Sequence, residues 1–218
     1  MAATRGRFEG PIIVEGARIV GWASLALAAM TLAVLAAGGT GEDGVRMLIR
    51  ATARSSLALF SLAFTASSLR RLVHAPATAW LLRNRRYLGL SFAVSHAIHL
   101  AGIVDLAVRW PEQFARTSAT TVIGGGLGYV FVAAMAATSN DRAVAALGRR
   151  RWRLLHLAGS WLVWGIFASS YVPRAVHAPG YLPLALLAVA ALGVRIAAWL
   201  RQGSAMRRRS PASSSVGQ

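Results

Sequence analysis

Residues 85–108 read RRYLGLSFAVSHAIHLAGIVDLAV, and this stretch decides the class of fold. After its two arginines it contains a single carboxylate, Asp105, and is otherwise apolar or small and polar except for His96 and His99. About 20 consecutive residues of this kind cross a bilayer as a helix, so the stretch predicts a membrane span. Ionisable side chains are costly at membrane depth and usually mark a function. His96 and His99 are therefore the first candidate functional residues.

The rest of the chain repeats this pattern. Hydrophobic residues make up 56% of the 218 residues and charged residues only 14%, which is typical of a membrane protein. The stretches long enough to span a bilayer are residues 19–38, 47–69, 87–108, 118–138, 154–172 and 181–200. The sequence thus predicts an all-α polytopic membrane protein, a bundle of six transmembrane helices over residues 19–200. We expect no flavin or nicotinamide domain in the chain, so electrons or substrates have to come from another molecule.

The basic residues predict the orientation of this bundle. All 24 of them are arginine, and the net charge is +17. They concentrate in segments 1–18, 70–86, 139–153 and 201–209, which alternate with arginine-poor loops. By the positive-inside rule this bias places both termini in the cytoplasm. We therefore expect a cytoplasmic N-terminal segment at 1–18, a disordered cytoplasmic tail at 201–218, contact with anionic membrane lipid and no nucleic-acid binding.

A third histidine lies in the fifth apolar stretch. His156 follows Arg153 by three residues, so it lies near the cytoplasmic boundary. Measured along a helix from Arg86, His96 lies about 15 Å deeper and His99 about 20 Å deeper. Imidazole is a common axial ligand of haem iron. A single untilted haem between His99 and His156 would have to span this difference in depth, and His96 closes part of it.

Simpler interpretations of these histidines remain open. Buried histidines also hydrogen-bond between helices without any cofactor. His96 and His99 have the spacing of a His-x-x-His metal site, although no Glu or Cys accompanies them in the helices, and the chain contains no cysteine at all. Three histidines in membrane segments with so few other ionisable groups favour a cofactor. His74 and His177 fall in loops, where we expect them to be solvated.

The motifs around these histidines resemble those of a known family. The second stretch ends ALFSLAFT at 58–65, the third opens RRYLGL at 85–90 and reaches His99 nine residues later, and the fourth ends ATSN at 137–140 before His156. Together they resemble the ferric reductase-like transmembrane domain family. Within it, the nearest likeness is to the haem-binding membrane subunits of the bacterial periplasmic methionine sulfoxide reductase system.

The resemblance implies a function. Such proteins bind haem b in the bacterial inner membrane and carry electrons between a cytoplasmic reductase, here a flavin reductase, and a periplasmic or quinone partner. By resemblance His99 and His156 are the axial ligands of the haem iron, with His96 as their neighbour or substitute. We further expect Arg86 and Arg153 to contact haem propionates or an acidic donor surface. The chain is then at most the electron-transfer subunit of an oxidoreductase system.

The resemblance covers about residues 47–172 and departs from the family pattern at one point. The family has a second histidine thirteen residues after the one that corresponds to His156, and here that position is Ser169, which cannot ligate iron in the same way. Either His96 has taken over a ligand role, leaving one haem rather than two, or the scaffold persists with little or no haem. The sequence therefore predicts a haem b electron-transfer protein, with a haem-free membrane scaffold or small transporter as the alternative.

Overall fold

The structure is a computed structural model and describes residues 14–209. This part of the chain is helical and contains no strand. The helices are α1 (Ala17–Gly38), α2 (Glu42–Leu72), α3 (Pro76–Arg109), α4 (Pro111–Ala115), α5 (Ala119–Ala137), α6 (Asp141–Leu147), α7 (Arg149–His177) and α8 (Leu182–Arg209), with a 3₁₀ turn at Pro179–Tyr181. The all-α prediction is confirmed, and each predicted span overlaps one of the six long helices.

Five of the long helices have the length and hydropathy of a membrane span: α1, α2, α3, α5 and α8, the last together with the turn before it. Helix α7 is 29 residues long but does not belong to this group. Its apolar stretch includes His156, two tryptophans and several serines and glycines, which lower its mean hydropathy. The described residues are therefore those of a multi-pass membrane protein with five candidate spans, and the prediction of six spans is not confirmed.

The long helices alternate in direction. Gly16, just before α1, donates its backbone N–H to Asn84 Oδ1 in the early part of α3 (2.9 Å). At the same end of the bundle, Arg201 in α8 donates to the carbonyl of Leu72, the last residue of α2 (2.9 Å). Helix α7 starts beside the end of α5, where Trp152 donates to a backbone carbonyl. We call this end, where the arginine-rich segments meet, the arginine-rich end.

Helix α2 occupies the centre of the bundle. It packs against α1, α3 and α8, while α7 packs against α5 and α8. The core contains Phe60, Phe64, Phe92 and Phe167, packed with alanines of α8. Helices α1 and α5 are peripheral, since only 11% of the residues in each apolar window are buried. Their remaining apolar side chains are suited to contact with lipid.

The last helix extends beyond its apolar stretch. Helix α8 continues to Arg209, into the segment for which a disordered tail is predicted. Arginine occurs four times in residues 201–209, beside one glutamine, one alanine and one methionine, and all four residue types favour a helix. The remainder of the predicted tail, 210–218, and most of the predicted N-terminal segment, 1–13, lie outside the described residues.

Candidate cofactor site

A cavity opens at the arginine-rich end between α2, α3, α5 and α7. Its volume is about 580 Å³, which lies within the roughly 300–1,000 Å³ of small-molecule and cofactor sites. The apolar part of its wall includes Phe60, Phe64, Phe92, Val132 and Met135. The first three belong to the bundle core, so the cavity extends from the core to the surface at this end.

Three of the five predicted cofactor contacts line this cavity: His156, Arg86 and Arg153. Arg85 adds further positive charge to the lining. One carboxylate is present there, that of Asp141, and it pairs with Arg86 (Nη1 to Oδ1, 3.1 Å). The arginines thus outnumber the acidic groups, so the cavity suits a ligand with anionic groups on an apolar body.

His156 is oriented by contacts on both sides of its ring. Its Nε2 lies 3.1 Å from Thr138 Oγ1. Thr138 Oγ1 also lies 2.7 Å from the carbonyl oxygen of Ala134, and both hydrogen bonds form together when the hydroxyl donates to that carbonyl and His156 donates through Nε2. The His156 ring packs on Trp152, with 4.2 Å between ring centroids. In that arrangement the remaining nitrogen, Nδ1, carries the lone pair, and it has no hydrogen-bond partner among the described residues.

His99 lies at the contact between α3 and α2, and it is hydrogen-bonded through Nδ1 where His156 is bonded through Nε2. Its Nδ1 lies 3.0 Å from the carbonyl oxygen of Ile49 and 3.1 Å from Thr52 Oγ1. Because a carbonyl only accepts, Nδ1 carries the proton and Nε2 carries the lone pair. Metal-bound histidines usually donate their other ring N–H to such an acceptor. His99 is therefore preset for ligation through Nε2, but it lies outside the lining of the cavity.

Hydroxyl groups fill the contact beside His99. Ser95 Oγ lies 2.8 Å from Ser55 Oγ and 2.9 Å from Ser56 Oγ. Thr52, Ser56 and Ser95 are each 0% exposed. We call Thr52, Ser55, Ser56, Ser95 and His99 the hydroxyl seam. Such hydrogen bonds hold neighbouring membrane helices together, and no residue of the seam lines the cavity.

His96 lies between the two regions. Its ring centroid is 5.2 Å from that of Phe92, which lines the cavity, and 5.4 Å from that of His99. Its third ring neighbour is Tyr129, at 4.6 Å. His96 Nδ1 is buried and has no hydrogen-bond partner in the described part of the chain. The Phe92 side chain therefore separates His96 from the cavity.

The structure does not bring the three predicted ligands to one place. His156 lines the cavity, whereas His96 and His99 do not. Ser169 in α7, where the resemblance predicts a second histidine, is exposed and donates to a carbonyl of its own helix. Across residues 14–209 no group of three or more His, Cys, Asp or Glu side chains gathers into a metal site. A haem held between His99 and His156 is thus not preformed.

Two orienting residues were not identified from the sequence. Thr138 Oγ1 and Thr52 Oγ1 each lie 3.1 Å from a ring nitrogen, of His156 and His99, respectively. In the sequence each appears only as a hydroxyl residue within or next to an apolar stretch. That pattern does not show which residue of another helix the hydroxyl contacts. The remaining histidines, His74 and His177, are exposed, as expected, although His177 is the last residue of α7 and not part of a loop.

The residues around the cavity fit the chemistry of a haem. A haem needs an imidazole nitrogen for its iron, an apolar surrounding for its macrocycle and cationic partners for its two carboxylates. The cavity offers the imidazole of His156, a phenylalanine-rich wall and several arginines. It offers one imidazole and not two.

Comparison with known proteins gives one match. The protein-methionine-sulfoxide reductase heme-binding subunit MsrQ of Azospira oryzae is 29% identical over 126 residues, which cover 54% of this chain and 51% of that protein. The chain therefore spans about half the length of this curated relative. No protein-family model matches the chain, and no solved structure matches it. The similarity supports, at the family level, the resemblance to the haem-binding subunits of this reductase system, while the wider ferric reductase-like assignment stays a prediction.

Proposed function

We propose that the chain is a haem b electron-transfer protein of the bacterial inner membrane. The observation that carries this proposal is the cavity, because it joins an available imidazole to an apolar wall and an arginine-rich mouth. The similarity to a protein named as a heme-binding subunit supports the same conclusion. Because the chain contains no cysteine, the haem has to be held without thioether bonds, as haem b is.

The topology that we propose has six spans with both termini in the cytoplasm. Helix α7 has 29 residues, which corresponds to about 43 Å of helix, more than the hydrocarbon core of about 30 Å. It also runs opposite to its neighbours α5 and α8, as a span between them has to. Six crossings return the chain to its starting side, and the positive-inside rule then places the arginine-rich end in the cytoplasm.

Each residue of the cavity has a defined part in the proposal. A bound haem supplies the ability to take up and release one electron. His156 would hold the iron, and the hydrogen bond between its Nε2 and Thr138 Oγ1 fixes the ring. Arg86 and Arg153 pair with the propionates at the mouth. The phenylalanines of the wall exclude water from the macrocycle.

His96 and His99 are not haem ligands in this proposal. His99 and His96 lie outside the cavity, so one haem in the cavity does not need them as ligands. Ligation by His99 through its free Nε2 would require a haem beside the hydroxyl seam, or a movement of Phe92 and its neighbours. We therefore propose one haem, with His156 as its ligand.

The partners in this proposal follow from the location of the cavity. A cytoplasmic flavin reductase with an acidic surface is the donor, since the mouth is basic and opens at the cytoplasmic end. The acceptor is a periplasmic protein or a quinone on the opposite side. Complementary charge of this kind speeds the encounter of two proteins.

The test is haem quantification on the full chain. The protein is purified in detergent from haem-replete cells, and its absorption spectrum is recorded before and after dithionite. We expect a Soret band that shifts on reduction, with one haem per polypeptide. His156→Ala should lose the haem, whereas His99→Ala should keep it. A folded, colourless wild-type protein would refute the proposal.

A haem-free membrane scaffold is the second candidate function. It is favoured by the separation of the histidines, since His99 is satisfied by its contacts with α2 and His96 is enclosed by aromatic rings. On this alternative the arginines of the cavity bind anionic lipid head groups. The colourless preparation named above is the result that this candidate expects.

A further inference from the structure

We propose that Arg195 in α8 is the centre of a binding site for the phosphate of an anionic phospholipid, in the leaflet at the arginine-rich end. Arg195 does not belong to the lining of the cavity. The proposal does not depend on haem, so it goes beyond the proposed function and can fail independently of it. The lipid would lie against α2, α7 and α8, the helices that surround Arg195.

The Arg195 side chain is held in place by two other helices. Its Nη1 donates to the carbonyl oxygen of Phe64 in α2 (3.0 Å). Its guanidinium carbon lies 4.2 Å from the centroid of the Phe64 ring and 4.8 Å from that of Trp161 in α7. Trp161 packs on Trp164, whose indole N–H donates to the carbonyl of Ala188 in α8 (3.0 Å). The guanidinium is thus positioned before a ligand binds, which lowers the cost of binding.

The positive charge of Arg195 has no counter-charge in the described part of the chain. The four ion pairs of residues 14–209 all involve other arginines. The hydrogen bond to Phe64 occupies one of the five N–H groups of the guanidinium. A charge withdrawn from water without a partner is costly, and ionisable side chains within membrane spans usually mark a function. An anion from outside the chain would supply the missing charge.

The depth of Arg195 suits the phosphate of a lipid. Helix α2 has 31 residues, or about 46 Å of helix, so when centred it extends about 8 Å beyond each side of a hydrocarbon core about 30 Å thick. Phe64, which accepts from Arg195, precedes the end of α2 at Leu72 by about 12 Å. The guanidinium therefore lies about 4 Å inside the core boundary, where basic pockets between spans bind lipid head groups.

Apolar side chains beside Arg195 suit the rest of a phospholipid. Trp199 follows Arg195 by one helical turn, so the two lie on the same side of α8. Leu157 has the same relation to Trp161 in α7. Trp199 is 70% exposed and Leu157 is 46% exposed. The side chains next to the cation therefore offer an apolar surface to an acyl chain.

A second cation lies nearer the membrane surface on the same side of α8. Nη1 of Arg71 in α2 lies 3.1 Å from the side-chain amide of Gln202. Gln202 follows Arg195 by two helical turns, or about 10 Å. Neither Arg71 nor Arg195 pairs with a carboxylate of the described residues. A lipid phosphate that enters from the surface would thus meet two cations in sequence, and its negative charge complements both.

The test is lipid binding to the purified full chain in detergent, measured by native mass spectrometry. The protein is titrated with phosphatidylglycerol, which is anionic, and separately with phosphatidylcholine, which is zwitterionic. We expect one phosphatidylglycerol to bind at least about tenfold more tightly than phosphatidylcholine, since a hydrogen bond between charged groups is worth this much.

Arg195→Gln should lose this preference, because glutamine can still donate to Phe64 but carries no charge. Arg18→Gln is the matched control. Arg18 is exposed on α1 at the same end of the bundle, and α1 packs against α2 and α3. This variant removes the same charge away from the site and should keep the full preference.

Several outcomes would overturn the proposal. Equal affinity of the wild type for the two lipids excludes the site. An Arg195→Gln variant that keeps the preference shows that Arg195 only fastens α8 to α2. Equal losses in Arg195→Gln and Arg18→Gln show a response to net charge and not to a site. Displacement of phosphatidylglycerol by inorganic phosphate identifies a free anion, and not a lipid, as the ligand.

Arg71→Gln decides the test if Arg195→Gln does not fold. Arg71 is exposed, so the fold should survive its replacement. We expect a loss of about threefold in affinity for phosphatidylglycerol, because water partly screens an exposed charge, and an unchanged affinity would overturn the proposal. Haem absorbance of the same samples separates the two proposals, since the lipid preference should be present whether or not the wild type contains haem.

Discussion

The hydroxyl seam and the cavity each contain one histidine, but the surroundings of the two rings differ. In the seam, His99 donates through Nδ1 to α2 and lies among fully buried hydroxyl groups. In the cavity, His156 Nε2 is hydrogen-bonded to Thr138, the residue that caps α5, and His156 lines an open volume of about 580 Å³. One histidine is part of a helix contact, and the other faces space that a ligand can fill.

The difference comes from how closely the helices approach. Near His99, α3 presents the small residues Ser95 and Gly102 to α2, so the two backbones pack closely. Near His156 the helices lie further apart. Phenylalanines of α2 and α3 and arginines of α3 line the gap between them, and α5 lies at the periphery. A buried histidine therefore indicates a ligand site only where its neighbours leave volume beside it.

The largest effect is expected from the same substitution at two glycines of α3. A Cβ on Gly102 would lie 3.0 Å from Ile49 Cγ1, whereas a Cβ on Gly89 would meet nothing within 4 Å. Gly102→Leu should overpack the α2–α3 contact and cost about 1–3 kcal/mol of stability. Gly89→Leu should leave the fold intact, or stabilise α3 by up to about 1 kcal/mol, while filling the cavity and displacing haem.

Thermal unfolding in detergent and haem content together check this pair. Gly193→Leu on the exposed face of α8, where an added Cβ also meets nothing, is the matched control. Equal loss of stability in the two α3 variants would break the contrast between a closed seam and an open cavity.

A smaller effect is expected from removing one hydroxyl in each region. Thr52→Val deletes the hydroxyl that accepts from His99 and donates to Leu48 (2.7 Å), at a position that is 0% exposed. It should cost about 0.5–2 kcal/mol of stability, the range for polar contacts between membrane helices. Thr138→Val, at a half-buried position, should cost less stability but alter the haem spectrum through His156. Thermal unfolding and absorption spectra of the two variants test this. A larger loss of stability in Thr138→Val than in Thr52→Val would contradict the comparison.

His96→Phe should have almost no cost. His96 Nδ1 is buried without a hydrogen-bond partner among the described residues, and aromatic rings surround it. Replacing an unsatisfied polar group by an apolar ring is neutral or stabilising. We expect an unchanged or raised Tm and unchanged haem content. Loss of haem in this variant would instead show that His96 has become a ligand.

The smallest effect is expected at the mouth of the cavity. Asp141→Asn removes the partner of Arg86, but the Asp141 side chain is 97% exposed, so water screens the pair. We expect no measurable change in Tm and no change in haem content. A large drop in either would mean that the mouth is more closed than its exposure indicates.

Much of the fold was predictable from the sequence. The stretch 85–108 and its counterparts predicted the long helices because a membrane span requires a long apolar run, and this requirement does not depend on neighbours. The ends of the helices were less predictable. Helix α3 begins at Pro76, well before the predicted boundary at residue 87, because helical residues outside the apolar run carry no hydropathy signal.

The site was predictable only in part. The sequence selected His156, Arg86 and Arg153, which the structure brings to one cavity. It also selected His96 and His99, since histidine in an apolar stretch gives the same signal whether it binds a cofactor or a neighbouring helix. The hydrogen bonds that distinguish the two cases join positions far apart in the chain, such as Ile49 and His99.

The sequence by itself determined that this chain is a helical membrane protein with a strong bias of arginine to one end, because hydropathy and charge act residue by residue. Only the tertiary structure decided which histidine lines open volume and which is held by another helix. Those properties depend on the distance between helices, and that distance is set by side chains on both.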